Sequence, residues 1–131
     1  MITASVMCLA LNMYYEARSE SYASRLAVAQ VTLNRVASEK YPDTVCEVVW
    51  QRGPQFSWTL DGKSDVPKEK EAWATALGLS QLILEDPARM SVECVGNATH
   101  YHADYVVPEW SSKMDLKCKV GSHLFYSSES A

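Results

Sequence analysis

The chain has no excess of positive charge. Its 12 Lys and Arg stand against 16 Asp and Glu, for a net charge of −4. Nucleic acids and anionic membrane surfaces are bound by cationic faces, so the balance argues against both as partners. No apolar run reaches the roughly 20 residues of a membrane-spanning helix. The apolar stretch from Met1 to Met13 is preceded by no Lys or Arg and is interrupted by Thr3, Ser5 and Asn12. It therefore lacks the charged start of a secretory signal. It reads as a buried helix, and the domain is expected to carry no secretory signal of its own. Histidine is scarce, with three in the chain: His100, His102 and His123. The four cysteines, Cys8, Cys46, Cys94 and Cys118, include no close pair of the zinc-knuckle or redox type. Reduced, buried thiols are the expectation, and a Cys94–Cys118 bridge stays open if the two lie on neighbouring strands. Internal repeats, low-complexity segments and linkers are also missing. The 131 residues read as one domain, residues 1–131, large enough to fold around its own core.

What is present is 47% hydrophobic and 21% charged, an ordinary globular mixture. Val6, Leu9, Ala10 and Met13 recur at helical spacing and predict a helix over 3–18. A second helix over 22–39 carries Ala23, Leu26, Ala27 and Val31 on one stripe. Tyr41-Pro42-Asp43 ends it, because the residue before proline avoids the helical region. A short helix follows at 44–50. Residues 51–66 form a loop longer than a compact domain usually carries without a purpose. A third long helix starts near Pro67 and runs to about Glu85. The last third changes character. Gly96-Asn97 is a turn signal, residues 98–103 alternate as a strand, and 106–110 reads as extended. Residues 116–120 and 123–126 flank Gly121 as a β-hairpin. Helices first and a small antiparallel sheet after them make an α+β chain.

The stretch Tyr14-Tyr15-Glu16-Ala17-Arg18-Ser19-Glu20 carries the first candidate chemistry. It places Glu16 at the end of an apolar helix, on one face with Asn12 four residues earlier. A carboxyl group held partly out of water has a raised pKa and can serve as a general acid near neutral pH. Many glycosidases use two carboxyl groups, and no partner for Glu16 stands out among Glu20, Asp61, Asp65, Asp104 and Glu109. One acid suffices when the substrate carries its own nucleophile, as the C6 hydroxyl of N-acetylmuramic acid does. The loop residues Phe56 and Trp58, with Gln51 and Gln55, suit a sugar, which needs flat apolar surfaces and hydrogen-bonding edges. A second chemistry is a zinc-dependent hydrolase built on His100, His102 and His123, since two histidines share one strand face. The glycosidase ranks above it, and no metal or other cofactor is expected. A wall-binding module without catalysis is the reading from a different class.

Six segments in order resemble the spore-cortex-lytic, SleB-type cell wall hydrolases. They are Tyr15-Glu16-Ala17-Arg18-Ser19-Glu20, Ala27 to Val36, Tyr41-Pro42-Asp43-Thr44-Val45, Gln55-Phe56-Ser57, Ala98-Thr99-His100-Tyr101-His102 with Val107-Pro108-Glu109-Trp110, and Gly121 to Tyr126. The resemblance implies a lysozyme-like, lytic-transglycosylase-related fold acting on peptidoglycan glycan strands. It carries the catalytic glutamate onto Glu16. It also implies that Gln55, Phe56, Ser57, Tyr101, His102 and His123 line or support the substrate groove. Ser19 and Asn97 stand where the family commonly has glycine, and both residue types are at home in turns. A lone lytic domain of this kind suits a monomeric bacteriophage endolysin acting on the host wall. The expected product is a 1,6-anhydro-N-acetylmuramic acid end, with a hydrolytic muramidase or glucosaminidase on the same site as the alternative.

Overall fold

The fold is known from a computed structural model that describes residues 2–51 and 66–128. Helix α1 spans Ala4–Ala17, α2 Tyr22–Ala37, α3 Val45–Val49 and α4 Lys70–Glu85. Three strands follow: β1 His100–Ala103, β2 Asp115–Val120 and β3 His123–Ser127. Short 3-10 turns at Glu93–Val95 and Glu109–Lys113 precede β1 and β2.

Each of the first three helices starts where a hydroxyl side chain can satisfy an orphan backbone N–H. Thr3 accepts from Val6 N, Ser21 from Ser24 N and Thr44 from Glu47 N. Helix α4 begins at Lys70 and not at Pro67, for a visible reason. The Tyr14 hydroxyl accepts the backbone N–H groups of Lys68 at 3.1 Å and Glu69 at 2.9 Å, holding the approach segment in extended form. The expected extended run 106–110 is also corrected: Glu109 and Trp110 open a 3-10 turn.

Two packed clusters share α2. The larger joins Leu9, Met13 and Tyr14 of α1 to Leu26 of α2, Val45, Val48 and Val49 of α3, and Leu79 and Ile83 of α4. The smaller sets Ala27, Val28 and Val31 of α2 against Val95, Ala98 and Phe125 under the sheet. Tyr101 packs against both clusters. Burying such side chains stabilises by roughly 1.5–3 kcal/mol each for the larger aliphatic and aromatic ones.

The sheet runs β1-β3-β2, antiparallel throughout, with β3 in the centre and an irregularity between Leu116 and Cys118. Register decides which side chains can meet. Tyr101 pairs with Phe125 and Ala103 with His123, so these four face the helices. His100 and His102 point to the other face.

The expectation of reduced thiols is overturned. Cys8 of α1 is bridged to Cys46 of α3, with Cα atoms 5.2 Å apart. Cys94 of the first 3-10 turn is bridged to Cys118 of β2, at 6.0 Å. The second pair joins a turn to a strand, not two neighbouring strands. Both pairs link segments distant in sequence, which spacing alone does not reveal.

Candidate active site around Glu16

Glu16 sits in the last turn of α1, half-buried, with the buried Asn12 amide one turn before it. Burial raises the Glu16 carboxyl from its ordinary value near 4.5 to about 7. A Tyr101 hydrogen bond and the positive charge of Arg35 pull in the opposite direction and keep the rise moderate. The result is a group that both holds and releases a proton near neutral pH.

Tyr101 reaches Glu16 from β1. Its hydroxyl is held well above the usual phenol range, first by burial and then by the neighbouring Glu16 charge, so it acts as a proton-bearing donor. Asn12 also interacts with the Tyr101 hydroxyl and lowers its pKa, against the larger effect of burial. Asn12, Tyr101 and Glu16 thus belong to one side-chain network.

Arg35 comes from α2 and is 3% exposed. Its Nε donates to the Thr99 carbonyl at 2.8 Å, and its guanidinium lies 5.1 Å from the centre of the Tyr41 ring. Burial lowers its pKa and the surrounding Tyr41, Tyr101 and Glu16 raise it. An arginine so placed stays charged. It supplies the fixed positive charge that makes ionised Glu16 tolerable.

Behind Tyr101 lies a second layer. The His123 ring meets Tyr101 edge-on at 5.4 Å. Its Nδ1 is 3.3 Å from Ser24 Oγ and 3.5 Å from a Glu20 carboxylate oxygen. Burial holds this imidazole below its usual range, against the pull of Glu20 and Asp104. The same Glu20 oxygen accepts from Ser122 N at 3.0 Å and from Ser122 Oγ at 2.7 Å. Those two bonds lower the Glu20 carboxyl. Gly121 permits the turn. Its φ is +59°, and a Cβ there would lie 2.9 Å from Glu20 Oε1 and 3.1 Å from Ser24 Cβ.

The structure sorts the expected site residues into three groups. Tyr101 meets Glu16, and His123 buttresses Tyr101. His102 is directed elsewhere: its Nδ1–H donates to the Ala103 carbonyl at 2.7 Å, and Nε2 lies 2.8 Å from the Tyr126 hydroxyl. It packs with Trp110 and Tyr126 on the sheet face turned away from Glu16. Gln55, Phe56 and Ser57 lie outside the described residues. The zinc alternative loses its cluster, because His100 and His102 are on one face of the sheet and His123 on the other. Among the described residues no group of three or more His, Cys, Asp or Glu side chains could hold a metal ion.

Of the carboxylates considered as partners for Glu16, Glu20 is committed to the Ser122 turn. Asp104 pairs with Lys119 at 3.2 Å. Asp61 and Asp65 lie outside the described residues. Glu109 is exposed at the start of its 3-10 turn.

Residues 19–126 match the cell wall hydrolase family. The chain belongs to that family. Over 122 residues, 92% of this chain, it is 31% identical to a spore cortex-lytic enzyme of Halalkalibacterium halodurans, and it covers 34% of that protein. A spore cortex-lytic enzyme of Bacillus cereus is 29% identical over 92% of the chain, with 43% of that protein covered. The chain thus spans well under half the length of these relatives. Among solved structures it resembles the catalytic domain of the germination-specific lytic transglycosylase SleB from Bacillus anthracis. The TM-score is 0.71 at 27% identity, covering 95% of this chain and 96% of that one. The catalytic domain of the Bacillus cereus SleB protein gives 0.63 at 28%, covering 97% and 93%. The α+β architecture is therefore that of SleB catalytic domains.

The family match begins three positions after Glu16, so the burial and partners of Glu16 rest on the geometry of this cell wall hydrolase chain. Two residues of this site, Asn12 beside Tyr101 and Arg35 beside Glu16, went unassigned from sequence. Asn12 shares a helix face with Glu16, but nothing in its spacing points to Tyr101. Arg35 carried a readable signal: with Val28 and Val31 it falls on the buried stripe of α2. A charged side chain on such a stripe is rare unless it is paired.

Proposed function

We propose that this chain cleaves peptidoglycan glycan strands as a lytic transglycosylase, with Glu16 as acid and then base. The observation that carries the reading is the balanced Glu16 carboxyl, pushed up to about 7 by burial and restrained by Tyr101 and Arg35. Kinship with spore cortex-lytic enzymes and with the SleB lytic transglycosylase supports the substrate.

In the first step the protonated Glu16 carboxyl gives its proton to the bridging oxygen between N-acetylmuramic acid and N-acetylglucosamine. The C1–O bond breaks, and the leaving sugar departs with a new hydroxyl. Positive charge builds at C1 while Glu16 becomes a carboxylate, held by the Tyr101 donor and the Arg35 charge. In the second step the C6 hydroxyl of the same muramic acid attacks C1. Its proton passes to Glu16, which restores the acid, and the new O6–C1 bond closes the 1,6-anhydro ring. An internal nucleophile so held has an effective molarity of roughly 10⁵ M or more.

The two disulfides suit work outside the cytosol, where thiols are oxidised and where the wall lies. Purified Glu16→Gln protein incubated with peptidoglycan tests the assignment. Loss of released muropeptides from a folded variant is expected, and activity near that of the unmodified protein would remove Glu16 from the reaction.

A further inference from the structure

At the C-terminal end of α2 the surface opens into a cavity of about 590 Å³. That volume falls within the roughly 300–1,000 Å³ range of small-ligand sites. One wall is the exit of α2, including Ala37, Ser38 and Tyr41. The facing wall is the segment entering β1, with Asn97, Thr99 and His100. Neither wall includes Asn12, Tyr101 or Glu16, yet one residue of each touches Arg35. The Thr99 carbonyl accepts from Arg35 Nε, and the Tyr41 ring carries the Arg35 guanidinium.

The lining sets neutral hydrogen-bonding groups beside apolar surface. Hydroxyls come from Ser38, Thr99 and Tyr41. Asn34, also in the wall, spends its amide group on the Gly96 and Ala98 carbonyls at 2.9 and 2.8 Å, which leaves its oxygen as an acceptor. The His100 ring is fixed from two sides, by Thr99 Oγ1 at 3.0 Å and by Trp110 at 5.2 Å between centroids. Burial, with Arg35 nearby, pushes its pKa down to about 4, so near neutral pH it is an uncharged ring that still hydrogen-bonds. The two charged side chains at the rim, Glu39 and Lys40, carry opposite signs. Such a lining suits a neutral ligand that carries hydroxyl and amide groups beside apolar faces, as an N-acetylated sugar does.

We propose that this cavity is a distal saccharide site, taking N-acetylated sugar residues of the strand being cut, beyond those at Glu16. The proposal rests on the reading of Glu16 as the glycan-cleaving acid. A strand seated there is gripped at two places, which lowers KM for long strands without changing the bond-breaking step.

Two measurements test it. In the first, folded Glu16→Gln protein is titrated with the β-1,4-linked tetramer of N-acetylglucosamine while its amide NMR signals are followed. Shifts at Asn97, Thr99 and His100, in addition to those near Tyr101, are expected. Saturation with no shift at 97–100 overturns the proposal. In the second, Ala37→Trp fills the cavity from an exposed helix position. The ratio of kcat/KM on long glycan strands to that on the shortest cleavable fragment should fall about tenfold, through KM. An unchanged ratio in a variant with an unaltered melting curve also overturns it. If the unmodified protein releases no sugar from peptidoglycan, the Glu16 reading fails, and the titration alone then judges the cavity.

Discussion

The Tyr101 hydroxyl is a hydrogen-bond partner of the Glu16 carboxyl, and it lowers the carboxyl's pKa against the rise that burial causes. If Tyr101 could turn its proton elsewhere, Glu16 would lose both a restraint on its orientation and part of what lowers its pKa.

Tyr101→Phe should therefore change the pH profile as well as the rate. Removing the donor raises the Glu16 carboxyl above about 7. The acid form then persists to higher pH, and the alkaline limb of the activity profile moves upward. The rate at the optimum should fall by roughly tenfold to a hundredfold, the equivalent of one hydrogen bond to a charged group. A rate loss with the limb unmoved would mean that Tyr101 serves packing alone.

Glu16→Gln should trade activity for stability, and the sign can be worked out. The folded-state carboxyl titrates near 7 and its ordinary value is 4.5. Between those pH values the folded protein binds the extra proton, so stability falls as pH rises through the window. Above it, the ionised buried group costs up to about 3 kcal/mol. Glutamine removes that cost. The variant should lose on the order of 10²-fold or more in activity and melt higher than the unmodified protein at pH 8, with little difference at pH 4.5. Equal melting temperatures at both pH values would contradict the raised carboxyl.

Glu20→Gln should behave oppositely. This carboxylate holds the Ser122 turn, and its pKa is lowered by those bonds. Its stabilisation is present above the unfolded-state value and is lost as pH falls through the folded one. The variant should lose about 1–2 kcal/mol in denaturant unfolding near neutral pH, while the folded fraction keeps its catalytic rate. A stable Glu20→Gln protein without activity would instead make Glu20 a second catalytic carboxylate.

Reduction of the disulfides should destabilise the domain. Each bridge of this kind contributes about 2–4 kcal/mol. Treatment with a thiol reductant should lower the melting temperature by roughly 10 °C or more, and so should the Cys8→Ser/Cys46→Ser double variant. A melting curve indifferent to reductant would restore the expectation of free thiols.

Much of this architecture was legible because local signals agreed with the final fold. The stripe Val6, Leu9, Ala10 and Met13 and the Gly121 turn both point to elements that form. The start of α4 was not legible, since it is set by a hydroxyl 54 residues away at Tyr14. The cysteine pairs and the Asn12–Tyr101 contact were hidden for the same reason: both depend on long-range packing that no spacing encodes. Glu16 could be read from its apolar helix. The separation of His102 from His123 could not, because it depends on which strand pairs with which.

The last prediction concerns the chemical form of the product. A hydrolytic enzyme needs a group to activate water, or a carboxylate to hold the cation-like intermediate. Among the described residues, the groups that act on the Glu16 carboxyl are Tyr101, a donor, and Arg35, a cation. Neither is a base for water, whereas Glu20 and Asp104 are occupied with Ser122 and Lys119. An internal hydroxyl needs only the proton acceptor that Glu16 becomes after the first step. Muropeptides released by this protein should accordingly end in 1,6-anhydro-N-acetylmuramic acid, lighter by one water than hydrolytic products and resistant to borohydride reduction. Mass spectrometry before and after borohydride treatment reads both properties. Reducible ends would make water the acceptor, and Asp61→Asn and Asp65→Asn, at the positions outside the described residues, would then be the first variants to make.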